Sequence, residues 1–375
     1  MTENTVLTMK PAGERFLSLD FFRGVIMIIL LLGETGFFDK LDFAADNSFT
    51  HFLQIQFVHS EWRGLHFWDI LLPAFMLIAG TSMAFSHHKQ QQISFPRKKY
   101  FLKILKRSFW LLFWGVLIYS VRKNHLNFEL SNVLVQLSVA TLVASFVIRS
   151  PAWLQFTVSL LCLLIPELLF RFSKVPGFDQ PFSNQHNFGN YVDLILLHRV
   201  NSPDTSTSMN AISGIAHVIW GVMAGQLLIS AKSNSLKFIY LTGAGVLAVI
   251  IGFLLDWTGI TPMLKWIASS SFVLATSGIS LIALGICYEW IDVRKNRKHL
   301  QFFTIVGMNS IFIYLFFNFI GFKWLYGYLN ILCSGLLNLL GVPISVGAVV
   351  SCLIAFSIEW FLCYFLYKKK IFFKL

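Results

Sequence analysis

Charge is what this chain lacks. Only 13% of its 375 residues are Asp, Glu, Lys or Arg, about half of what a soluble domain carries. Acids are the scarcer sign: 18 Asp and Glu stand against 30 Lys and Arg, a formal net charge of +12. The basic residues cluster between apolar runs and do not form a soluble face, so membrane topology explains the excess and nucleic acid is not an expected partner. Cysteine is sparse as well. Cys162, Cys287, Cys333, Cys352 and Cys363 sit in apolar surroundings without metal or redox spacing and read as small buried hydrophobes. No glycine-rich phosphate loop is present, which argues against a nucleoside triphosphate site of that kind. Residues Met1–Glu14 are polar and lack a cleaved signal-peptide pattern. The first span is expected to serve as the insertion signal.

What is present is apolar length. The chain is 56% hydrophobic, holds 39 phenylalanines and has a mean hydropathy of +0.66. Runs near the roughly 20 residues needed to cross a bilayer recur at Phe21–Phe38, Phe67–Ser86, Ile104–Ser120, Leu130–Ile148, Ala152–Phe170, Asn210–Ser230, Phe238–Asp256, Ser269–Trp290, Phe302–Gly321 and Ser345–Tyr367. The expectation is an all-α integral membrane protein, a single domain over residues 1–375 built as a bundle of about ten transmembrane helices. Trp324–Leu340 is apolar but interrupted by Gly327, Gly335 and Asn338, and reads as a re-entrant or interfacial element on the outer face. The acid-free stretch His87–Arg107, the cluster Arg294–Lys298 and the ending Lys368–Lys374 are all strongly basic. Placing all three on the cytoplasmic side requires an even number of spans and puts both termini inside. Asp39–His66 and Arg171–Ser208 are then the long outer segments.

Ionisable residues at membrane depth are costly and mark function. His59 opens the segment His59-Ser60-Glu61-Trp62-Arg63-Gly64-Leu65-His66-Phe67-Trp68-Asp69, at the outer mouth of the second span. Its imidazole is suited to proton transfer near neutral pH. Glu34, at the outer end of the first span, lies at similar depth and is the expected orienter of His59, or else a structural pin of the hairpin. If the segment is helical, His59 and Asp69 are roughly 15 Å apart. Asp69 is then expected to cap the helix, bind His66 or contact substrate. His59, His66, Glu61 and Asp69 offer metal-ligand types but no compact spacing, so no metal is expected. Asp20 and Arg23 are three residues apart at the inner end of the first span, where Arg23 serves as an anchor or an anion contact. Gln136, His217, Asn309 and Ser310 are interhelical hydrogen-bonding groups or cavity lining. The basic aromatic stretch ending at Arg107 attracts anionic headgroups or a polyphosphate cofactor such as coenzyme A.

Four stretches carry a resemblance: Ser18–Gly24; His59–Gly80 with Trp62, Gly64, Asp69, Pro73 and Gly80 at matching intervals; Gly221–Gly225 with Asp204 upstream; and Gly307–Ile311 with the ending Tyr367–Phe372. Together they resemble the heparan-α-glucosaminide N-acetyltransferase family and its bacterial relatives, over nearly the whole chain. The resemblance implies acetyl transfer from cytosolic acetyl-CoA to a terminal glucosamine amine across a membrane, with His59 as the catalytic histidine, expected to act either as general base or as a transient acyl carrier. Glu34, Arg63 and Ser213 stand where the eukaryotic pattern favours asparagine, which bears on the acceptor sugar, and the chain is expected to lack the eukaryotic lumenal N-terminal region. On this resemblance Trp62, Arg63, His66, Asp69 and Asp204 are the acceptor-side candidates. Arg23, Gln136, Asn309, Ser310, Arg107 and Lys369 are the coenzyme A-side candidates. Asn309, Ser310 or a backbone amide is the expected oxyanion donor. The expected setting is the bacterial inner membrane, and the expected partners are the bilayer and an amino-sugar or glycan acceptor, with a homodimer allowed. Rival readings are an O-acyltransferase on a cell-envelope glycan and a small-solute transporter, against which the chain shows no paired interrupted helices in matching halves.

Overall fold

The computed structural model describes residues 16–44, 47–93, 96–128, 130–200 and 205–373. The polar segment 1–14 and Asp204 lie outside them. Among the described residues all regular structure is helical. In order these are α1 (Leu17–Glu34), α2 (Phe37–Ala44), α3 (Ser48–Gln56), α4 (Phe67–Gln92), α5 (Arg97–Lys123), α6 (Val133–Val147), α7 (Ala152–Phe172), α8 (Phe188–Leu197), α9 (Asn210–Ile229), α10 (Asn234–Trp257), α11 (Ser270–Cys287), α12 (Leu300–Met308), α13 (Ser310–Phe316), α14 (Tyr326–Leu339) and α15 (Ile344–Lys368). Wider π turns extend α11 through Val293 and join α13 to α14 over Phe317–Leu325.

Among the described residues seven helices are long and apolar enough to cross a membrane. This makes the protein a multi-pass membrane protein. The expected spans in α1, α5 and α6 are helical too, but α1 carries Asp20, Arg23 and Glu34, α5 is rich in Lys and Arg, and α6 has 15 residues. The end of the chain departs from the sequence reading. Ser310–Leu339 runs as one helical stretch of 30 residues, so Trp324–Leu340 is its second half and not a separate re-entrant element. Gly327 and Gly335 sit inside the helix without breaking it. The break falls within the expected span Phe302–Gly321, at Asn309 (φ −116°, ψ 29°) between α12 and α13.

Close backbone contact organises the interior. Gly221 and Gly225 of α9 are four apart, one helical turn, and with Gly80 of α4 they let the two helices touch. A Cβ on any of the three would run into the partner's backbone, at Leu77, Thr81 or Val218. Small residues at such spacing are the usual basis of tight helix packing in lipid, where burial of apolar surface gives no driving force. Gly24 and Gly307 do the same where α1 meets α12. The helices α1, α4 and α5 form the frame for function. Each contributes residues to two separate cavities, one toward each of its ends.

Candidate functional site

The site begins with a loop that reverses on itself. After α3 the chain leaves helical geometry at Phe57 and re-enters it only at Phe67. Gly64 has φ +125°, a region that side chains disfavour, and its N–H donates to Met263 O at 2.9 Å. The Trp266 indole donates to Glu61 O at 2.6 Å. Loop 57–66 is thereby docked on loop 258–269, and His59 comes back over the first turn of α4.

There it meets Asp69. His59 Nδ1 and Asp69 Oδ1 are 2.8 Å apart. Lys265 Nζ lies 3.3 Å from the same oxygen. Asp69 Oδ2 accepts the backbone N–H groups of Ser60 at 3.2 Å and His66 at 3.1 Å. The carboxylate is fully buried and sits in the first turn of a helix, where the backbone dipole favours negative charge. Both oxygens are occupied, so its orientation is fixed. With Nδ1–H held by Asp69, the other ring nitrogen, Nε2, is left as the free base. The His59 side chain keeps 45% of its surface accessible, because it forms the wall of a cavity while protein surrounds that cavity. The enclosure lowers the imidazole pKa below its ordinary value, burial being the largest cause; the bond to Asp69 opposes the shift and Lys265 adds to it. Burial likewise brings the Lys265 ammonium down to about 8 against the pull of Asp69. Trp266 completes the group: its ring meets His59 edge to face at 5.6 Å and carries Lys265 over its face at 4.2 Å.

This corrects the sequence reading of the pair. Asp69, not Glu34, orients His59, because residues 57–66 are a turn and the helical extrapolation to roughly 15 Å does not apply. Glu34 faces the same cavity but gives its carboxylate to Arg122, Oε2 to Nη2 at 3.0 Å. The cavity holds about 270 Å³, with His59, Asp69, Lys265 and Trp266 on one side, Tyr119, Arg122 and Asn132 on another, and Met27, Leu72 and Phe75 toward the interior.

A second cavity, about 590 Å³, opens at the opposite ends of α1, α4 and α5. Arg23, Lys103 and Arg107 face it with Asp20 as the only carboxylate among its described lining residues. Arg23 lies 3.7 Å from Asp20 and donates to Ser82 Oγ. No carboxylate among the described residues pairs with Arg107. The hydroxyls of Ser82, Ser86, Tyr100 and Ser310 complete the lining. Guanidinium groups and hydroxyls in excess over acid fit a phosphate-bearing ligand.

The other sequence candidates lie elsewhere. Trp62 donates to Phe182 O at 2.9 Å and packs in a loop cluster. Arg63 pairs with Asp256 at 3.0 Å on an exposed surface. His66 Nδ1 contacts Val58 O at 3.0 Å, closing the His59 loop. These three shape the loop but do not line the His59 cavity. Gln136 donates to Ser131 O at 3.0 Å inside the bundle. Asn309 is buried at the α12–α13 break, where it donates to Ile371 O at 3.3 Å and accepts from Phe373 N at 3.1 Å. It holds the C-terminal tail, Ser310 lines the second cavity, and neither lines the His59 cavity. Lys369 is exposed near Phe365 and lines neither cavity. Arg23, Arg107 and Ser310 do share the second cavity. Lys265 was not anticipated. Its signal was available: a lone lysine in an apolar loop expected on the outer face runs against the positive-inside bias. No cluster of His, Cys, Asp and Glu that could hold a metal occurs among the described residues.

The profile of the catalytic region of heparan-alpha-glucosaminide N-acetyltransferases matches residues 15–255. The chain is also similar to two curated relatives named heparan-alpha-glucosaminide N-acetyltransferase. The mouse (Mus musculus) protein is 24% identical over 434 residues, covering 98% of this chain and 62% of the relative. The human (Homo sapiens) protein is 24% identical over 379 residues, covering 83% and 54%. The chain thus spans little more than half the length of these relatives.

Proposed function

The chain belongs to the heparan-alpha-glucosaminide N-acetyltransferase family, and from that premise we propose that it transfers an acetyl group from acetyl-CoA to an amino sugar, with the two substrates approaching from opposite ends of the bundle. One observation carries the proposal: an oriented His59–Asp69 pair and a cation-lined cavity lie at opposite ends of the same three helices.

Arg23, Lys103 and Arg107 hold the phosphates of coenzyme A at the basic end. Acetyl-CoA supplies an acetyl group activated as a thioester. At the other end, Asp69 keeps the His59 proton on Nδ1, and Nε2 accepts a proton from the acceptor amine as its nitrogen attacks the acetyl carbon. A C–N bond forms, the C–S bond breaks, and the sulfur leaves as the free thiol after taking up a proton. The Lys265 ammonium, bordering the same cavity, is the cation available to the oxygen that gains negative charge. Glu34 and Arg122 line the acceptor's side of the cavity. The excess of basic residues in the loops at the Arg23 end supports a cytoplasmic position for that end. The membrane is then the bacterial inner membrane, with both termini on its cytoplasmic side.

The test is His59→Ala assayed with labelled acetyl-CoA and glucosamine in detergent. A general base is worth about 10²–10⁴-fold, and a loss of that size is expected while coenzyme A binding persists. Activity within twofold of wild type, about 0.4 kcal/mol, removes His59 from the reaction. A product acetylated on a hydroxyl would replace the N-transfer reading with O-acylation.

A further inference from the structure

Phe75 is the only side chain among the described residues that lines both cavities. It stands on α4 between the two functional ends, about 9 Å of helical rise beyond Asp69 and about 10 Å short of Ser82. It packs against three separate apolar clusters, yet it is only half-buried. A core aromatic in the middle of a bundle retains accessible surface only when open space borders it. Here that space is the His59 cavity on one side and the basic cavity on the other.

We infer that Phe75 is the partition between donor and acceptor chambers, the ring past which the acyl-bearing end of the donor must pass, and so the side chain that limits the size of the acyl group delivered to His59. The inference rests on the acyl-transfer reading above. The phosphates of the donor are anchored by Arg23 and Arg107, but the thioester must reach His59 at the far end of α4. The donor's arm between them is long, thin and flexible, and a ring that turns about two torsions can let it through. An acetyl group adds little width. A longer acyl chain must displace the ring or the packed side chains behind it, which protein interiors resist. Phe75 touches no reacting atom on this arrangement; it is a positioning and selecting residue.

Two substitutions test this. Phe75→Leu widens the passage and Phe75→Trp narrows it. Two quantities are measured for each: equilibrium binding of coenzyme A, and kcat/KM with acetyl-CoA and with butyryl-CoA. One or two methylenes in a shaped apolar passage are worth on the order of 10- to 100-fold in selectivity. Phe75→Leu is therefore expected to raise the butyryl-to-acetyl ratio of kcat/KM about tenfold or more. Phe75→Trp is expected to bind coenzyme A within about threefold of wild type while transferring acetyl at least about tenfold more slowly. A Phe75→Leu protein with an unchanged ratio overturns the inference, as does a Phe75→Trp protein that binds coenzyme A and transfers at the wild-type rate. If the tryptophan variant loses coenzyme A binding through misfolding, the leucine variant decides alone. A wild-type chain without acetyl-CoA turnover defeats the acyl-transfer reading and this inference together. Turnover with unaltered selectivity in Phe75→Leu defeats the inference only.

Discussion

Asp69 accepts from four groups, and the consequences can be followed atom by atom. Two backbone N–H groups on one oxygen fix the carboxylate, and His59 and Lys265 compete for the other. The imidazole is held below its ordinary pKa, so its base form persists below about pH 6.5, where an unperturbed histidine would be half protonated. Lys265, brought down to about 8, is charged at neutral pH and loses its proton just above. The two shifts bound an expected window: on the proposed reading transfer should fall on the acid side below pH 6.5 as His59 takes a proton, and on the alkaline side near pH 8 as Lys265 gives one up. In Lys265→Gln the alkaline limb is expected to vanish, and the plateau rate to drop by about 10²–10³-fold, the order of one oxyanion donor. A pH–rate profile of both proteins is the check, and an alkaline limb that survives the substitution assigns it to another group.

This pairing was only partly legible in the sequence. His59 stood out because a histidine at a membrane mouth is conspicuous. Helical spacing places Asp69 too far from His59, because that rule does not hold across residues 57–66, where the chain turns. The left-handed Gly64 and the contacts from Met263 and Trp266 make that turn, and the second set comes from a loop some two hundred positions later. Local pattern cannot contain such information. Lys265 is part of the same distant loop: its place outside the positive-inside pattern is readable in the sequence, but its position against Asp69 is not.

Among the helices, apolar periodicity and length identified most spans, since lipid requires nearly all backbone groups to be satisfied within the helix. The interruptions were less faithful guides. Gly327 and Gly335 remain helical, whereas Asn309, one residue among many polar ones, marks the break because its side chain is bonded to the C-terminal tail. The α4–α9 crossing shows where glycine is required. A Cβ at Gly221 would strike the Leu77 backbone, which cannot yield as a flexible side chain could. Gly221→Val is expected to destabilise the protein by at least the roughly 1–3 kcal/mol of overpacking. It should lower the thermal unfolding midpoint in detergent and reduce acetyl transfer in proportion to the folded fraction. Gly243, whose Cβ would meet nothing within 4 Å, is the control expected to tolerate alanine with an unchanged midpoint. Equal effects at the two positions would show that the crossing is not tightly packed.

In the molecule as a whole, acids are rare and basic residues collect at one end, while the oriented histidine lies at the other. That asymmetry, not any single motif, gives the bundle a direction. Acetyl-CoA is too charged to cross a bilayer, and on the proposed reading the cation-lined cavity and the His59 cavity at the far ends of the same three helices would let its acyl group be delivered across. Sidedness is therefore the property to measure. The purified protein is reconstituted into sealed vesicles with labelled acetyl-CoA inside and glucosamine only outside. Labelled N-acetylglucosamine is expected in the outer medium, absent from vesicles carrying His59→Ala. Product formed only when both substrates occupy the same compartment would contradict transfer between the two ends of the bundle.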